Sequence, residues 1–357
     1  MSDPRTSDPR TGDGVRCLLM RGGTSKGAYF LREDLPSEPS ARDDLLLRLF
    51  GSPDERQVDG IGGGHPLTSK AAVVSRSAGD PDADVDYLFL QVVVDRPVVS
   101  AGQPCGNLLV AVAPFAVERG LVEAGPRTTT VRIRMVNTGG LAIATIATPG
   151  GRVEYPGDTT IAGTPFPAAP VRIRFADTAG AVCGGLLPTG RVRDDLDGTP
   201  ATLVDNGMPV VVLDAAGLGV TGAEPPAELE GNDVLRSRLE VLRLLAGELM
   251  GLGDVSAATV PKMTLVSAPR HGGTLATRMF IPHRVHPAIG VLAGLSVATA
   301  VGLPGSVAAE VAGDAPGGRI RIEHPSGFFD TESGDDAGIS VVSTARKLFD
   351  GVAWPRP

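Results

Sequence analysis

Residues 105–117 read C-G-N-L-L-V-A-V-A-P-F-A-V, and this stretch decides the fold. After Asn107 it carries no polar stripe, and it predicts a helix over residues 106–119. A helix that is apolar on every side is buried on every side. Residues 288–300, A-I-G-V-L-A-G-L-S-V-A-T-A, have the same character and predict a second buried helix over residues 287–301.

Each apolar stretch follows strands and a polar cluster, at residues 103–107 in one half and 283–287 in the other. This repetition favours two similar domains over two unrelated core helices. We predict an α/β (α+β) fold of two pseudo-repeated domains, each a mixed, mostly antiparallel sheet wrapped around a central apolar helix. The helix N-termini are expected to converge on a cleft between the domains, where N–H groups and positive dipole ends bind carboxylates.

The domain limits follow from the same pattern. Residues 1–14 carry a D-P-R-T repeat and predict a disordered tail. We expect a first domain over residues 15–185 and a second over residues 186–357, with the active site in the cleft between them and the last strand able to return to the first domain. Two further helices are predicted, Ser40–Phe50 with Ser40 as N-cap and Glu228–Met250 with one charged face.

Composition restricts the function classes. The chain has 357 residues, 42% of them hydrophobic and 4% aromatic, with a net charge of −8. That charge argues against a general nucleic-acid or membrane surface. The three cysteines are too widely spaced for a zinc site or a disulfide framework, which indicates reduced thiols. No signal peptide and no membrane-spanning run is recognisable, so we expect a cytoplasmic protein.

Cys105 is a candidate catalytic residue because it opens the first apolar helix. A helix N-terminus favours the thiolate form of cysteine. Gly106 lets a ligand approach the backbone, and Asn107 offers a side-chain amide. The alternative is a small buried apolar residue, which is the usual role of a free cysteine and the one expected for Cys17 and Cys183.

Lys70 is the second candidate. It closes the glycine-rich loop D-G-I-G-G-G-H-P-L-T-S-K (residues 59–70), beside Ser69, and opens the apolar strand A-A-V-V. Burial lowers the pKa of a lysine toward the range useful in acid–base catalysis. The alternative is a solvated lysine at a strand end. The loop lacks the glycine pattern of a dinucleotide-binding fingerprint.

The turn M-R-G-G-T-S-K-G (residues 20–27) lies between two predicted strands. It is no phosphate-binding P-loop, because no helix follows it. An anion cradle fits better, since Arg21 can bind a carboxylate through two parallel hydrogen bonds. The alternative is a hairpin turn with solvated charges. The candidate ligand contacts here are Arg21, Gly22, Thr24, Ser25 and Lys26.

The second half offers weaker candidates. His283 and His286 have the spacing H-x-x-H, but no third zinc ligand is evident, so we expect no metal here. A helix is expected to start at Pro287, and His286, just before it, is expected to contact the ligand. Arg278 lies in an apolar strand as either an edge residue or a carboxylate clamp. Asn206, in D-N-G-M-P, is first a turn residue.

Three motifs in order, M-R-G-G-T-S-K-G, D-G-I-G-G-G-H-P-L-T-S-K and C-G-N-L, resemble the methylaconitate isomerase family, whose fold is similar to that of diaminopimelate epimerase. The resemblance begins near Val15 and covers nearly the whole chain. It implies a cofactor-independent isomerase of small unsaturated di- and tricarboxylic acids, with Lys70 and Cys105 as the catalytic pair. Gln103–Pro104 depart from the residues that many relatives carry before the cysteine.

The resemblance implies a 1,3-proton shift, a keto–enol tautomerisation of an oxo-tricarboxylate in gallate breakdown. Alternatives are isomerisation of 2-methylaconitate or methylitaconate, and a non-catalytic polycarboxylate-binding protein. A two-cysteine epimerase is disfavoured, because His286 and Pro287 stand where a second cysteine would be needed. The expected partners are a small carboxylate and, as in many relatives, a second copy in a homodimer. The predicted substrate contacts are Arg21, Gly22, Thr24, Ser25, Lys26, Ser69, Gly106, Asn107, Asn206, Arg278, His283 and His286.

Overall fold

The computed structural model describes residues 14–102, 105–313, 318–333 and 339–357. Apart from Gly14, the predicted tail lies outside the described residues, and so does the pair Gln103–Pro104. Among the residues that the structure describes, no helix has the length and apolar character needed to cross a bilayer.

The chain forms two compact units. Unit 1 holds the described residues up to Thr160, together with Thr164–Ala176 and Ser343–Pro357. Unit 2 holds Ile161–Gly163 and Asp177–Val342. The domain boundary expected after residue 185 stays a prediction.

The elements of unit 1 alternate strands with a few short helices. Its helices are α1 (Pro39–Phe50), α2 (Gly106–Leu109) and α3 (Val112–Glu118), with 3-10 turns at Arg32–Asp34 and Pro149–Gly151. Its strands are β1 (Val15–Gly22), β2 (Ser25–Leu31), β3 (Lys70–Arg76), β4 (Val85–Val92), β5 (Val99–Ser100), β6 (Thr128–Met135), β7 (Leu141–Ala147) and β8 (Pro170–Phe175).

Unit 2 has the same style. Its helices are α4 (Pro226–Gly231), α5 (Asp233–Leu249), α6 (Val291–Val301) and α7 (Val307–Val311), with a 3-10 turn at Ala216–Leu218. Its strands are β9 (Asp194–Leu196), β10 (Thr199–Asp205), β11 (Pro209–Asp214), β12 (Lys262–Ser267), β13 (Leu275–Ile281), β14 (Arg284–Val285), β15 (Arg319–His324) and β16 (Gly327–Ser333). The last strand, β17 (Ile339–Ala353), begins in unit 2 and continues into unit 1.

The strands of the two units pair in the same order. In unit 1, β1 and β2 form an antiparallel hairpin, β2 is parallel to β3, β3 to β5 are antiparallel neighbours, and β4 is parallel to β6. In unit 2, β10 and β11 form the hairpin, β11 is parallel to β12, β12 to β14 are antiparallel neighbours, and β13 is parallel to β15. In unit 1 the series ends with the antiparallel strands β7 and β8. In unit 2 it ends with β16 and β17, which are also antiparallel. The fold class predicted from the two apolar stretches is confirmed.

Each unit wraps its strands around a central helical segment. Side chains from β1, β3, β4, β6, β7 and β8 pack on α2 and α3 in one apolar cluster. In unit 2, side chains from β10 to β13 and from β15 pack on α6 in the same way. The opposite face of each sheet packs on an outer helix, α1 in unit 1 and α5 in unit 2. These central segments are the stretches whose lack of a polar face predicted burial.

Four predicted helix limits are wrong, and each has a local cause. The helix expected over residues 106–119 breaks into α2 and α3, because Pro114 has no N–H and is tolerated only in the first turn of a new helix. The helix expected over residues 228–250 breaks at Asn232, whose side chain caps α5 by accepting from the Leu235 N–H at 3.0 Å.

The other two corrections concern caps. The first helix begins at Pro39, and Glu38 rather than Ser40 is its N-cap, since the Glu38 carboxylate accepts from the Ala41 N–H at 2.7 Å. The helix expected to start at Pro287 begins at Val291 after Gly290. Residues 286–288 are held in a turn, in which the Ala288 N–H donates to His286 Nδ1 at 2.9 Å.

A buried carboxylate joins β15 to β16. Asp330 accepts from Arg321 Nε at 2.7 Å and from Arg319 Nη2 at 2.6 Å. Burial alone would raise the pKa of Asp330, but the hydrogen bonds from the two guanidinium groups hold it below its usual value. The ion pair therefore stabilises this hairpin at neutral pH.

Candidate active site

The β1–β2 turn in unit 1 lies against the segment that begins at Cys105. A Cβ atom at Gly22 or Gly23 would overlap atoms of Asn107, so only glycine permits this approach. Asn107 fixes the contact from its side, because its Nδ2 donates to Thr24 Oγ1 at 3.1 Å and its Oδ1 accepts from the Thr24 N–H at 3.4 Å. The structure thus brings two predicted motifs together.

Arg21 is partly used to hold that turn. Its Nη1 donates to the carbonyl of Gly23 at 2.8 Å and to the carbonyl and hydroxyl of Thr344, both at 3.0 Å. Its remaining nitrogens have no hydrogen-bond partner among the described residues. Burial, and the nearby positive charge of Arg346, lower the pKa of Arg21. The free edge of the guanidinium is suited to bind a carboxylate.

Lys70 is the first residue of β3, and its side chain is buried with 6% exposure. Its Nζ donates to Gln91 Oε1 at 2.7 Å and lies 5.0 Å from the centre of the Phe89 ring. Burial lowers the pKa of Lys70, and the charge of Cys105 opposes this shift. The Lys70 carbonyl and the Leu108 side chain both lie against Gly27, so the lysine is adjacent to the segment that follows Cys105.

Gln91 determines how Lys70 is held. Its Nε2 donates to the carbonyls of Ser69 at 2.9 Å and Pro66 at 3.1 Å. Because the donor end of the amide is engaged, the acceptor end points to the lysine. Sequence reasoning missed Gln91, although a glutamine within the apolar strand D-Y-L-F-L-Q-V was a usable signal.

Cys105 is half-buried and precedes α2 in extended backbone. Its carbonyl accepts from the Tyr87 hydroxyl at 3.2 Å, and the Tyr29 hydroxyl donates to the Leu108 carbonyl at 2.5 Å. Burial and the charge of Cys105 raise the pKa of both tyrosines well above the usual value. The two phenols, which sequence reasoning missed, therefore stay protonated and position the cysteine segment.

The expected long helix behind Cys105 is absent, since α2 has only four residues, Gly106 to Leu109. The dipole of so short a helix is small. Gly106 is its first residue and is half-buried. Cys17 is buried, as expected of a structural residue, and burial raises its pKa to about 11. Cys183 is half-buried, and burial together with the charge of Asp205 raises its pKa to about 11, so its structural role stays a prediction.

The glycine-rich loop is organised by another missed residue, Gln57. Its Nε2 donates to Ser69 Oγ at 2.7 Å, and its Oε1 accepts from the Gly64 N–H at 2.9 Å. The Lys26 N–H donates to the Leu67 carbonyl at 2.9 Å, so the β1–β2 hairpin also joins this loop. Ser25 lies within the same hairpin, and its buried hydroxyl has no hydrogen-bond partner among the described residues. All predicted contacts of the first half thus belong to one connected region of unit 1.

In unit 2, the side-chain amide of Asn206 is hydrogen-bonded through both its nitrogen and its oxygen. Its Nδ2 donates to Thr299 Oγ1 at 2.8 Å, and its Oδ1 accepts from Thr178 Oγ1 at 2.5 Å. It links the β10–β11 turn to α6, as expected of a turn residue. A role for Asn206 in substrate binding stays a prediction.

Arg278 is not on an edge strand, because β13 pairs with β12 on one side and with β14 and β15 on the other. Its guanidinium donates to the carbonyls of Ala223, Glu224 and Thr277, each at 2.9 Å. The neighbouring Met279 packs on α6, so by strand alternation Arg278 points to the opposite face. There it lines a cavity of about 600 Å³ with Arg270 and His324. Its role as a substrate contact stays a prediction.

The two histidines of the H-x-x-H pair have different surroundings. His283 is 52% exposed, and its Nδ1 lies 4.0 Å from the Glu240 carboxylate on α5. Burial, and the charge of nearby Lys262, lower the pKa of His286. Within the described ranges, no three His, Cys, Asp or Glu side chains are grouped so as to hold a metal ion.

The chain is similar to known proteins over nearly its whole length. A family model described as PrpF protein matches residues 14–355. A 4-oxalomesaconate tautomerase of Pseudomonas putida is 56% identical over 95% of this chain and 95% of that protein. A (4E)-oxalomesaconate Delta-isomerase of a Novosphingobium species is 53% identical over 97% of this chain and 98% of that protein. The crystal structure of a methylitaconate-delta-isomerase superposes with a TM-score of 0.86 at 32% identity, over 96% of both chains.

Proposed function

The chain belongs to the PrpF protein family, and from this premise we propose that it is a 4-oxalomesaconate tautomerase. The family resemblance of the three sequence motifs is thereby confirmed, and the chain is an isomerase. In the proposed reaction the enol 4-carboxy-2-hydroxymuconate becomes the keto acid 4-oxalomesaconate. This step moves one proton and one double bond without net oxidation, so it needs no redox cofactor.

The observation that carries the proposal is the environment of Lys70. A buried lysine with a lowered pKa, held at 2.7 Å from Gln91 and adjacent to the segment that follows Cys105, is suited to exchange protons with a substrate. In the enol-to-keto direction the hydroxyl loses its proton, the electron pair shifts along O–C–C, and the carbon gains a proton. We assign proton transfer at carbon to Lys70 and place Cys105 on the opposite side of the substrate, where it exchanges the second proton.

The carboxylates of the substrate need cationic and N–H contacts. Arg21, Lys26 and Thr24 offer these in unit 1, beside the Asn107 amide. Fixed donors of this kind stabilise the dienolate as its charge develops. The three free thiols suit a reducing compartment, so we place the reaction in the cytoplasm, within the breakdown of gallate or related aromatic acids. The expected homodimer stays a prediction.

A second candidate is favoured by the 53% identity to the oxalomesaconate Delta-isomerase. It would move a carbon–carbon double bond of the same acid with the same acid–base pair. Isomerisation of methylitaconate is less favoured, since that relative is only 32% identical. Supplying the enol, the (4E) isomer and methylitaconate in parallel discriminates these activities by ultraviolet absorbance and product analysis.

The catalytic assignment has a direct test. Purified protein should shift the ultraviolet absorbance of the enol without added cofactor, and Lys70→Ala should lose about 100- to 10,000-fold in kcat, the range of general acid–base catalysis. Lys347→Met is the matched control, because Lys347 forms an ion pair with Glu118 outside the proposed site. A folded Lys70→Ala enzyme with wild-type turnover would remove the lysine from the mechanism.

A further inference from the structure

The repeat of strand pairings gives Lys70 a counterpart in unit 2. Lys70 opens β3, which is parallel to the second strand of its hairpin, with Ala28 opposite Ala71. Lys262 opens β12, which is parallel to the second strand of the other hairpin, with Val211 opposite Met263. Both lysines are therefore the first residue of the strand that runs parallel to the hairpin. Lys262 itself pairs with Val210, whereas Lys70 precedes the first pair of its strand.

The two lysines also lie on the same face of their sheets. In β3, Ala72 and Val74 pack on the central helices, and Lys70 shares their side by strand alternation. In β12, Met263 and Leu265 pack on the outer helix α5, whereas Val266 packs on α6. Lys262 therefore points to the face of its sheet that carries the central helix.

The partners of the two lysines differ. Lys70 is opposite Gln91 in the neighbouring strand and donates to it. Lys262 precedes the Met263–Phe280 pair, so the residue at the corresponding position in β13 is the apolar Ile281. Among the residues that the structure describes, no acceptor lies within hydrogen-bond distance of the Lys262 ammonium. This half-buried cation thus lacks the internal partner that Lys70 has.

His286 adds a second donor on the same face. Its backbone N–H donates to the Met279 carbonyl at 2.8 Å, which places it opposite a residue that packs on α6. Its Nδ1 accepts from the Ala288 N–H at 2.9 Å, so the neutral ring carries its proton on Nε2. Met279 also pairs with Thr264, which lies two residues after Lys262 on the same face of β12, so the ring and the ammonium share one face of the sheet. Consistent with this, the charge of Lys262 lowers the pKa of His286. A cation beside an N–H donor is a suitable pair for one carboxylate.

We propose that Lys262, with the Nε2–H of His286, binds one carboxylate of the substrate and makes the enzyme select tricarboxylates over dicarboxylates. The inference rests on the proposed function, since it concerns the substrate of that reaction. The repeat has divided the roles: the lysine held by a glutamine exchanges protons, and the lysine without an internal partner anchors a charge.

The experiment compares Lys262→Met, Lys262→Arg and the control Lys347→Met. Binding of trans-aconitate, a tricarboxylate, and of mesaconate, a dicarboxylate, is measured by titration calorimetry, and kcat and KM are measured for the enol. Lys262→Met should weaken trans-aconitate binding and raise KM by about 10- to 100-fold, the range for loss of a hydrogen bond to a charged group. Its mesaconate affinity and its kcat should change much less, and Lys262→Arg should recover most of the tricarboxylate affinity.

The outcomes separate the two proposals. Equal affinities of Lys262→Met and Lys347→Met for trans-aconitate would overturn the assignment of Lys262. It would also be overturned if Lys262→Met lost the same affinity for trans-aconitate and for mesaconate and Lys262→Arg did not recover it. Wild-type protein that binds neither acid would overturn it as well. If the wild type binds trans-aconitate through Lys262 but does not convert the enol, the proposed reaction is wrong and the carboxylate site stands.

Discussion

Substitution of Gln91 tests whether one hydrogen bond controls the protonation of Lys70. Gln91→Leu removes the acceptor that lies 2.7 Å from the ammonium. A hydrogen bond to a charged group contributes about 1.5–3 kcal/mol, and about 1.4 kcal/mol corresponds to one pH unit. Losing it favours the neutral amine, so the limb of the kcat/KM profile that reports Lys70 should move to lower pH by about one to two pH units.

Gln91→Glu should move the same limb the other way. A carboxylate beside the amine favours the ammonium form and raises the pKa of Lys70. Initial rates of the absorbance change, measured at closely spaced pH values for wild type and both variants, give the three profiles, and circular dichroism at each pH confirms that the variants are folded. A limb that stays in place in both variants, or that moves in one direction for both, would refute the idea that Gln91 sets the charge of Lys70.

Two further predictions concern stability. Gly22→Ala should lower the melting temperature, because the added Cβ overlaps Asn107 and costs about 1–3 kcal/mol of stability. In the control variant Gly217→Ala the added Cβ meets no atom within 4 Å, so the melting temperature should stay nearly unchanged. Equal effects of the two substitutions would contradict the close approach of Asn107 to Gly22. Asp330→Asn should cost about 1–3 kcal/mol at pH 7, because it breaks a buried ion pair with Arg319 and Arg321. Since the pKa of folded Asp330 is depressed, its contribution is fully present above about pH 4, the unfolded value, and is lost as the pH falls through the folded value. The difference between the thermal melts of the two proteins should therefore shrink as the pH falls below about 4, and a constant difference would exclude this linkage.

The sequence was sufficient for the parts of the fold that depend on local pattern. The hairpin around Gly22 and Gly23, the two central apolar segments and the entry of Lys70 into a buried strand are all read from neighbouring residues. The break before Pro114 was also readable, since proline cannot occupy a helix interior. The sequence nevertheless predicts one helix over residues 106–119, because the uniform apolar character of the stretch outweighs the effect of Pro114.

What the sequence could not provide is register between distant strands. The Lys70–Gln91 bond joins residues 21 positions apart, and the Tyr29–Leu108 bond joins residues 79 apart. A shift of one residue in pairing would turn each side chain to the other face. For the same reason, the face on which Arg278 lies followed only from the packing of Met279, and the neighbourhood of Lys262 and His286 followed only from the order of the strands.

The path of β17 has a consequence for how the chain is made. Unit 1 contains the N-terminal half, yet β1 is paired with residues 345–353 near the end of the chain, and Arg21 is held by Thr344. Domains ordinarily fold in order as they leave the ribosome. Here the half that is synthesised first must wait for the last residues before the turn around Arg21 has its anchor, so ribosome-bound chains that end near residue 340 should lack a completed unit 1.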